Sequence, residues 1–126
     1  MKTNFKSPFK PKIIEDYRPK NFKIYTFNAG LKKKKDDLMV IVFEKTVPVA
    51  TVYSKTSTPS APIIWDKQNN KGLCKVLIVN SGNANAHTGN KGINVIEKYT
   101  IIASKVFHCK KNEVLVSSTG VIGEPL

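Results

Sequence analysis

The residues best suited to chemistry lie near the end of the sequence, in Ser117-Ser118-Thr119-Gly120. A threonine hydroxyl at a strand end, beside a glycine with an unobstructed backbone N–H, supplies two hydrogen-bond donors a few ångströms apart. Acyl-transfer reactions need such a pair where negative charge develops on a carbonyl oxygen, and losing one donor typically costs about 2.7–4 kcal/mol. The alternative is a structural turn in which Thr119 bonds the neighbouring backbone.

A second glycine-rich loop, IVNSGNANAHTGNKG, spans residues 78–92. Its glycines permit positive φ, and consecutive amides before a helix N-terminus can bind an anion. The spacing fits neither a phosphate-binding P-loop nor a dinucleotide fingerprint. Two interpretations stay open, because the asparagines can either contact a ligand or tie the turn together. The candidate substrate-loop residues are Asn80, Gly82, Asn83 and Asn85.

Apolar patterning predicts the elements that must position these loops. Residues 1–21 contain three prolines and are expected to form an extended lead-in to one domain over residues 22–126. The predicted elements are strands at 22–30, 38–44 and 47–54 in an antiparallel meander, a short helix after Ser60, a strand at 75–80, a helix at 89–107 and a strand at 113–118. The fold class is therefore α/β, an α+β mixed sheet with helices packed on it.

Local signals refine three of these elements. The unalternating run KVLIVN predicts a strand covered on both faces, and Thr88 is placed to cap the long helix. The four lysines at 32–35 are interpreted as a solvated hairpin loop. The apolar stripe of the long helix is predicted to comprise Ile93, Ile96, Tyr99, Ile102, Ala103 and Val106.

The charge of the chain has an ambiguous meaning. The 126 residues carry a net charge of +12, which is typical of proteins that bind nucleic acid or anionic surfaces. Only Arg18 among the 21 basic residues is arginine, however, and nucleic-acid readers favour arginine for its bidentate fork. A lysine-rich RNA- or anion-binding module therefore remains the alternative to an enzyme.

Other site classes find little support. Cys74 and Cys109 are too far apart in sequence to indicate a zinc site or a disulfide framework, and we expect no metal and no resident cofactor. No stretch has the length and apolarity of a membrane span, and the N-terminus lacks the apolar region of a secretion signal. We therefore expect a cytoplasmic protein that does not bind a membrane.

Together, NSGNANAHTG and SSTGVIGEPL resemble the ornithine acetyltransferase family, also called bifunctional glutamate N-acetyltransferases. The segments FNAGLKKKKDDLMVIV and TPSAPIIW are similar to that family's opening strands and first helix. His87 stands where the family commonly has cysteine, which we interpret as a change in packing. The resemblance covers nearly the whole chain and implies the N-terminal portion of the self-cleaving ornithine acetyltransferase/DmpA-like fold.

The resemblance also implies a mechanism. Such multifunctional enzymes of arginine biosynthesis cleave themselves autocatalytically at an Ala-Thr bond, and the new N-terminal threonine carries acetyl from N-acetylornithine to glutamate. Some members also accept acetyl-CoA as a co-substrate. The oxyanion hole then falls on the Thr119 hydroxyl and the Gly120 N–H. Two α and two β chains from the precursors would form a heterotetramer.

The nucleophile itself is not predicted within residues 1–126. Ala50-Thr51 is an Ala-Thr pair, but it lies in a predicted strand and is interpreted as a decoy. We expect the chain to be the front part of a longer protein, by truncation or as a partial gene, and to be inactive alone. An inactive remnant and an N-terminal-nucleophile aminopeptidase of the same superfamily remain alternatives.

Overall fold

The computed structural model describes residues 20–126, together with Phe9, residues 14–16 and Arg18. The predicted lead-in at 1–21 lies mostly outside these residues and stays a prediction. The elements are β1 (Phe22–Phe27), β2 (Leu38–Pro48), α1 (Ala61–Asn69), β3 (Leu73–Asn83), α2 (Gly89–Val106), a 3-10 turn (Lys111–Glu113) and β4 (Val114–Val121).

The strands form one four-stranded sheet in the order β1-β2-β3-β4. Antiparallel pairing joins β1 to β2 and β2 to β3, whereas β3 and β4 are parallel and connected through α2. The mixed α/β class predicted from the sequence is confirmed. This topology places the end of β3, the end of β4 and the loop between β1 and β2 at one edge of the sheet.

The sheet has two unlike faces. Val76, Val114 and Val116 on the first face pack with Trp65 of α1 and Ile96 of α2 in the hydrophobic core. The second face presents an apolar row in register across all four strands, formed by Ile24, Ile41, Leu77 and Leu115. Leu115 is buried and Ile41 and Leu77 are half-buried, whereas Ile24 is 53% exposed. The prediction that β3 is covered on both faces is confirmed for the first face, while the second face is only partly covered in the described part of the chain.

The opening meander has two strands instead of the predicted three. β2 continues to Pro48, and its pairing with β3 shifts register between Val42 and Val47. The polar residues between them form a bulge rather than a turn, so the break seen in the sequence does not separate two strands. Residues 49–54 are irregular, which places Thr51 in an exposed, non-strand segment and corrects its predicted position.

The buried stripe of α2 also differs from its prediction. Ile96 and Ala103 are buried as expected, whereas Ile102 and Val106 remain 61% and 60% exposed. Thr100 takes the intervening buried position, and its hydroxyl donates to the Ile96 carbonyl oxygen at 2.9 Å. This bond satisfies the hydroxyl within the helix, so the threonine can be buried. A pattern of apolar residues does not identify this buried position, because threonine is polar.

The short helix α1 begins after Ser60, as predicted, with Pro62 in its first turn, although the Ser60 side chain makes no capping bond. Its Asp66 covers the outer edge of β4, where the Val116 N–H donates to the two carboxylate oxygens at 3.2 and 3.4 Å. Burial raises the pKa of the Asp66 carboxyl to about 7, and the bond from Val116 only partly offsets this effect. The Asp66 carboxyl therefore accepts a hydrogen bond from the Val116 N–H at the edge of the sheet, although its burial disfavours the ionised form.

We expect the stability of the domain to fall as pH rises through Asp66's titration. Below its ordinary pKa near 3.8, the carboxyl is protonated in both the folded and unfolded chains. As pH rises toward about 7, the unfolded chain releases this proton first, which weakens folding by at most ~4 kcal/mol. Asp66→Asn should remove this contribution, so its unfolding free energy should change less between about pH 4 and pH 7. Urea unfolding at several pH values measures the difference.

Asp36→Asn is the matched control, because Asp36 is exposed. The control should keep the wild-type pH dependence. An Asp66→Asn variant whose stability follows the wild-type pH profile would show that Asp66 titrates normally in the fold.

Candidate functional site

Thr119 and Gly120 lie within β4, opposite Ser81 and Gly82 of β3. The sequence predicted that the strand ends at residue 118 and delivers them to a turn, but pairing continues to Val121. The reason is that β4 carries glycine at position 120, where a Cβ would collide with the β3 backbone, so the two strands can remain paired. Both residues are exposed at this edge of the sheet.

Gly120 is fixed by a close backbone contact. Its φ is +137°, and a Cβ at this position would lie 2.2 Å from the Gly82 carbonyl carbon and 2.5 Å from the Asn83 nitrogen. Gly82 has a φ of +115°, and a Cβ there would lie 3.2 Å from Leu31. Glycine at position 120 therefore lets β3 and β4 approach each other and orients the Thr119–Gly120 peptide, while glycine at position 82 leaves room for Leu31.

The loop after β3 is held together by three buried asparagines. Asn80 donates to the Asn83 carbonyl oxygen at 2.8 Å and accepts from the Ser118 hydroxyl. Asn83 accepts from the Asn85 N–H at 2.7 Å and donates to the Glu124 carbonyl oxygen at 3.0 Å. These amides link the loop to β4 and to the segment that follows it.

Asn85 also fixes the start of α2. Its side chain accepts from the Thr88 hydroxyl at 2.8 Å and donates to the Gly92 carbonyl oxygen at 3.2 Å. Thr88 lies at the predicted cap position but makes no capping bond to the helix. A Cβ on Gly92 would lie 2.1 Å from the Thr88 hydroxyl oxygen, so this glycine is required by packing.

The asparagines thus follow the second interpretation offered by the sequence, since their amides tie the turn together. Contact of Asn80, Gly82, Asn83 or Asn85 with a substrate stays a prediction. His87 is exposed with a φ of +56°, so the histidine changes the surface of the loop rather than its packing.

The sequence prediction missed the β1–β2 loop as part of this edge. Asp37 is buried and accepts from the Ala29 and Lys32 N–H groups at 2.6 and 2.7 Å. Burial favours a higher pKa for its carboxyl, but these bonds, another from Leu31 and the Lys32 charge lower the pKa below its ordinary value. Lys32 in turn donates to the Ser81 hydroxyl. Lys32 was assigned to a solvated loop from the sequence, because runs of charged residues are usually exposed to solvent.

The described residues contain neither a typical metal-ligand cluster nor a membrane-spanning helix. No group of three or more His, Cys, Asp or Glu residues is arranged there to hold a metal ion. Burial raises the pKa of the Cys74 thiol to about 11, as expected of an unreactive core cysteine. No described helix is long and apolar enough to cross a bilayer.

Comparison with known proteins gives one consistent result. Residues 23–126 match the model of the ArgJ family. The chain is 44% identical over 128 residues to the arginine biosynthesis bifunctional protein ArgJ of Mesorhizobium japonicum and 40% identical over 123 residues to that of Bradyrhizobium diazoefficiens. Each alignment covers 95% of this chain and 30% of the relative, so the chain spans about 30% of the length of these curated relatives.

Solved structures agree with the sequence relatives. The fold is similar to arginine biosynthesis bifunctional protein ArgJ of Bacillus halodurans, with a TM-score of 0.80 and 36% identity over 85% of this chain and 57% of that one. It is also similar to an ornithine acetyltransferase of Mycobacterium tuberculosis complexed with ornithine, with a TM-score of 0.77 and 29% identity over 86% of this chain and 60% of that one.

We expect Gly120→Ala to destabilise the domain strongly. The added Cβ would have to displace the β3 backbone at Gly82, because no side-chain rotation can move a Cβ away from that backbone. A loss of about 3 kcal/mol or more is expected, well above the ~1–2 kcal/mol of a positive φ alone. Chemical unfolding measures this loss.

Gly123→Ala is the matched control. Gly123 also has a positive φ, of +86°, but nothing lies within 4 Å of a Cβ placed there. Equal losses for the two variants would mean that backbone conformation, rather than the close contact of the strands, accounts for the effect.

Proposed function

Because this chain belongs to the ArgJ family, we propose that it is the N-terminal, α-chain part of an ornithine acetyltransferase. The complete protein would move acetyl from N-acetylornithine to glutamate in arginine biosynthesis, and these residues would supply its oxyanion hole. The match to proteins named for arginine biosynthesis and to an ornithine-bound acetyltransferase structure supports this assignment.

The observation that carries the proposal is the placement of Thr119 and Gly120. They lie side by side at an exposed sheet edge, and the backbone contact with Gly82 holds their peptide in place. Donors that are fixed before the reaction need no reorganisation when charge develops, which is the condition for an effective oxyanion hole.

The chemistry follows from this placement. A nucleophile attacks the acetyl carbonyl carbon, and negative charge collects on the carbonyl oxygen in the tetrahedral intermediate. The Thr119 hydroxyl and Gly120 N–H would donate to that oxygen. The nucleophile would be an N-terminal threonine from the part of the protein outside these 126 residues, whose own α-amine serves as the base. Thr51 lies in an irregular segment and is not proposed for this role.

The second face of the sheet supports a partner segment from the same precursor. Its apolar row crosses all four strands, and Ile24 in this row is 53% exposed. An apolar sheet face of this kind is normally buried against another layer. We propose that the C-terminal β chain covers this face and brings the nucleophile to Thr119.

Other properties of the complete protein are proposed from family membership. We propose autocatalytic cleavage of one precursor and a heterotetramer of two α and two β chains. The enzyme would act in the cytoplasm without a resident cofactor, and acetyl-CoA would be an additional acetyl donor if the enzyme is bifunctional.

In the complete protein, Thr119→Ala should lower kcat for acetyl transfer about 10²–10³-fold, because one oxyanion donor is lost. The KM for each substrate should change far less, since the bond forms mainly in the transition state. Thr119→Ser keeps the hydroxyl and should retain most of the activity. Steady-state kinetics with N-acetylornithine and glutamate measure both effects.

Thr51→Ala is the control, because Thr51 is exposed outside the strands. It should leave both constants near their wild-type values. A Thr119→Ala enzyme with wild-type kcat would remove Thr119 from the oxyanion hole.

The chain of residues 1–126 by itself should transfer no acetyl group. No acyl-enzyme can form without the nucleophile, even when both oxyanion donors are in place. An acetyl-transfer assay that compares this chain with the complete protein at equal concentration tests whether the nucleophile lies outside these 126 residues. Measurable transfer by the 126-residue chain would contradict the proposed location of the nucleophile.

A further inference from the structure

Lys32 differs from the lysines that follow it. Lys33, Lys34 and Lys35 are exposed, whereas Lys32 is half-buried. Its ammonium group donates to the hydroxyl of Ser81, a residue 49 positions further along the chain. This side chain therefore belongs to the sheet edge and not to the solvated loop.

Asp37 holds both ends of this contact. One carboxylate oxygen of Asp37 accepts from the Lys32 N–H at 2.7 Å, and its backbone carbonyl accepts from the Ser81 N–H at 2.7 Å. Because Asp37 is 3% exposed, the position of the lysine backbone relative to Ser81 is well determined. The Lys32 backbone is thereby held beside Ser81, within reach of its side chain.

The Lys32 charge interacts with the Asp37 carboxylate, but the two side chains do not form an ion pair within 4.0 Å. Among the described residues the ion pair found within 4.0 Å joins Lys111 to Glu97, and none involves Lys32. The Asp37 carboxylate instead accepts from backbone N–H groups. A half-buried ammonium beside a hydroxyl can stabilise negative charge that forms nearby.

Ser81 connects this charge to the oxyanion strand. It lies directly opposite Thr119 in the parallel β3–β4 register. Residues directly opposite on neighbouring strands project to the same face of the sheet. Lys32 therefore donates to a serine that lies opposite Thr119 on the second face.

We propose that Lys32, acting through Ser81, is a positioning residue that strengthens the Thr119 donor. Lys32 donates to the Ser81 oxygen, which leaves the Ser81 proton free to point toward the Thr119 oxygen. The Thr119 proton is then directed away from Ser81, toward the reacting carbonyl oxygen. No covalent bond changes in this arrangement. The inference rests on the proposed function, because it gives Lys32 a part in the same oxyanion site.

The test uses the complete protein and a double-mutant cycle. Lys32→Met should lower kcat for acetyl transfer about tenfold with KM nearly unchanged, a fraction of the effect of removing the donor itself. In a Thr119→Ala background, Lys32→Met should cause little further loss, because the donor on which it acts is absent. Lys32→Arg keeps a cationic donor and should restore part of the lost activity.

Lys33→Met is the matched control and should leave kcat unchanged, since Lys33 is exposed. Thermal melting confirms that each variant is folded. If Lys32→Met does not fold, Ser81→Ala takes its place in the cycle with the same expected coupling to Thr119.

Three outcomes would overturn the assignment while leaving the proposed function intact. The first is an unchanged kcat in Lys32→Met. The second is an equal fold-loss of kcat when Lys32→Met is made in the wild-type and in the Thr119→Ala protein. The third is a raised KM for glutamate at constant kcat, which would make Lys32 a substrate-binding residue. A wild-type protein that transfers no acetyl would instead overturn the proposed function, and this assignment with it.

Discussion

The candidate site depends on the contact between two parallel strands at Gly82 and Gly120. Parallel pairing brings the ends of β3 and β4 to one edge, and the absence of a Cβ on Gly120 lets the two backbones approach there. This constraint determines the orientation of the Thr119–Gly120 peptide. Ser81 and the buried Asn83 flank Gly82 in β3 and therefore lie next to the same contact.

The polar interior of this edge is a consequence of that constraint. A strand end followed by a tight loop leaves backbone groups that the sheet cannot pair. Asn80, Asn83 and Asn85 satisfy several of these groups while remaining buried. Side chains with both a donor and an acceptor suit this task, which explains a loop rich in asparagine without invoking a ligand.

The sequence predicted the parts of the fold whose signal is local. The start of α1, the bounds of α2, a strand within β3 and the two glycine-rich loops all follow from periodicity and turn residues. The bulge in β2, buried Thr100 and the continued pairing of Thr119 could not be predicted, because each depends on a partner distant in sequence. Lys32 was missed for the same reason, since its acceptor lies 49 residues away.

The two faces of the sheet have different roles, because the first contains the core and the second carries the candidate site. The first face is buried under α1 and α2 and contains the core, so its residues stabilise the domain. The second face holds an apolar row at its centre and polar side chains, Ser81 and Thr119, at the edge. A second layer that buries the row would exclude water from that edge. Because electrostatic interactions strengthen as water is removed, the same packing step would also make the Thr119 and Gly120 donors effective.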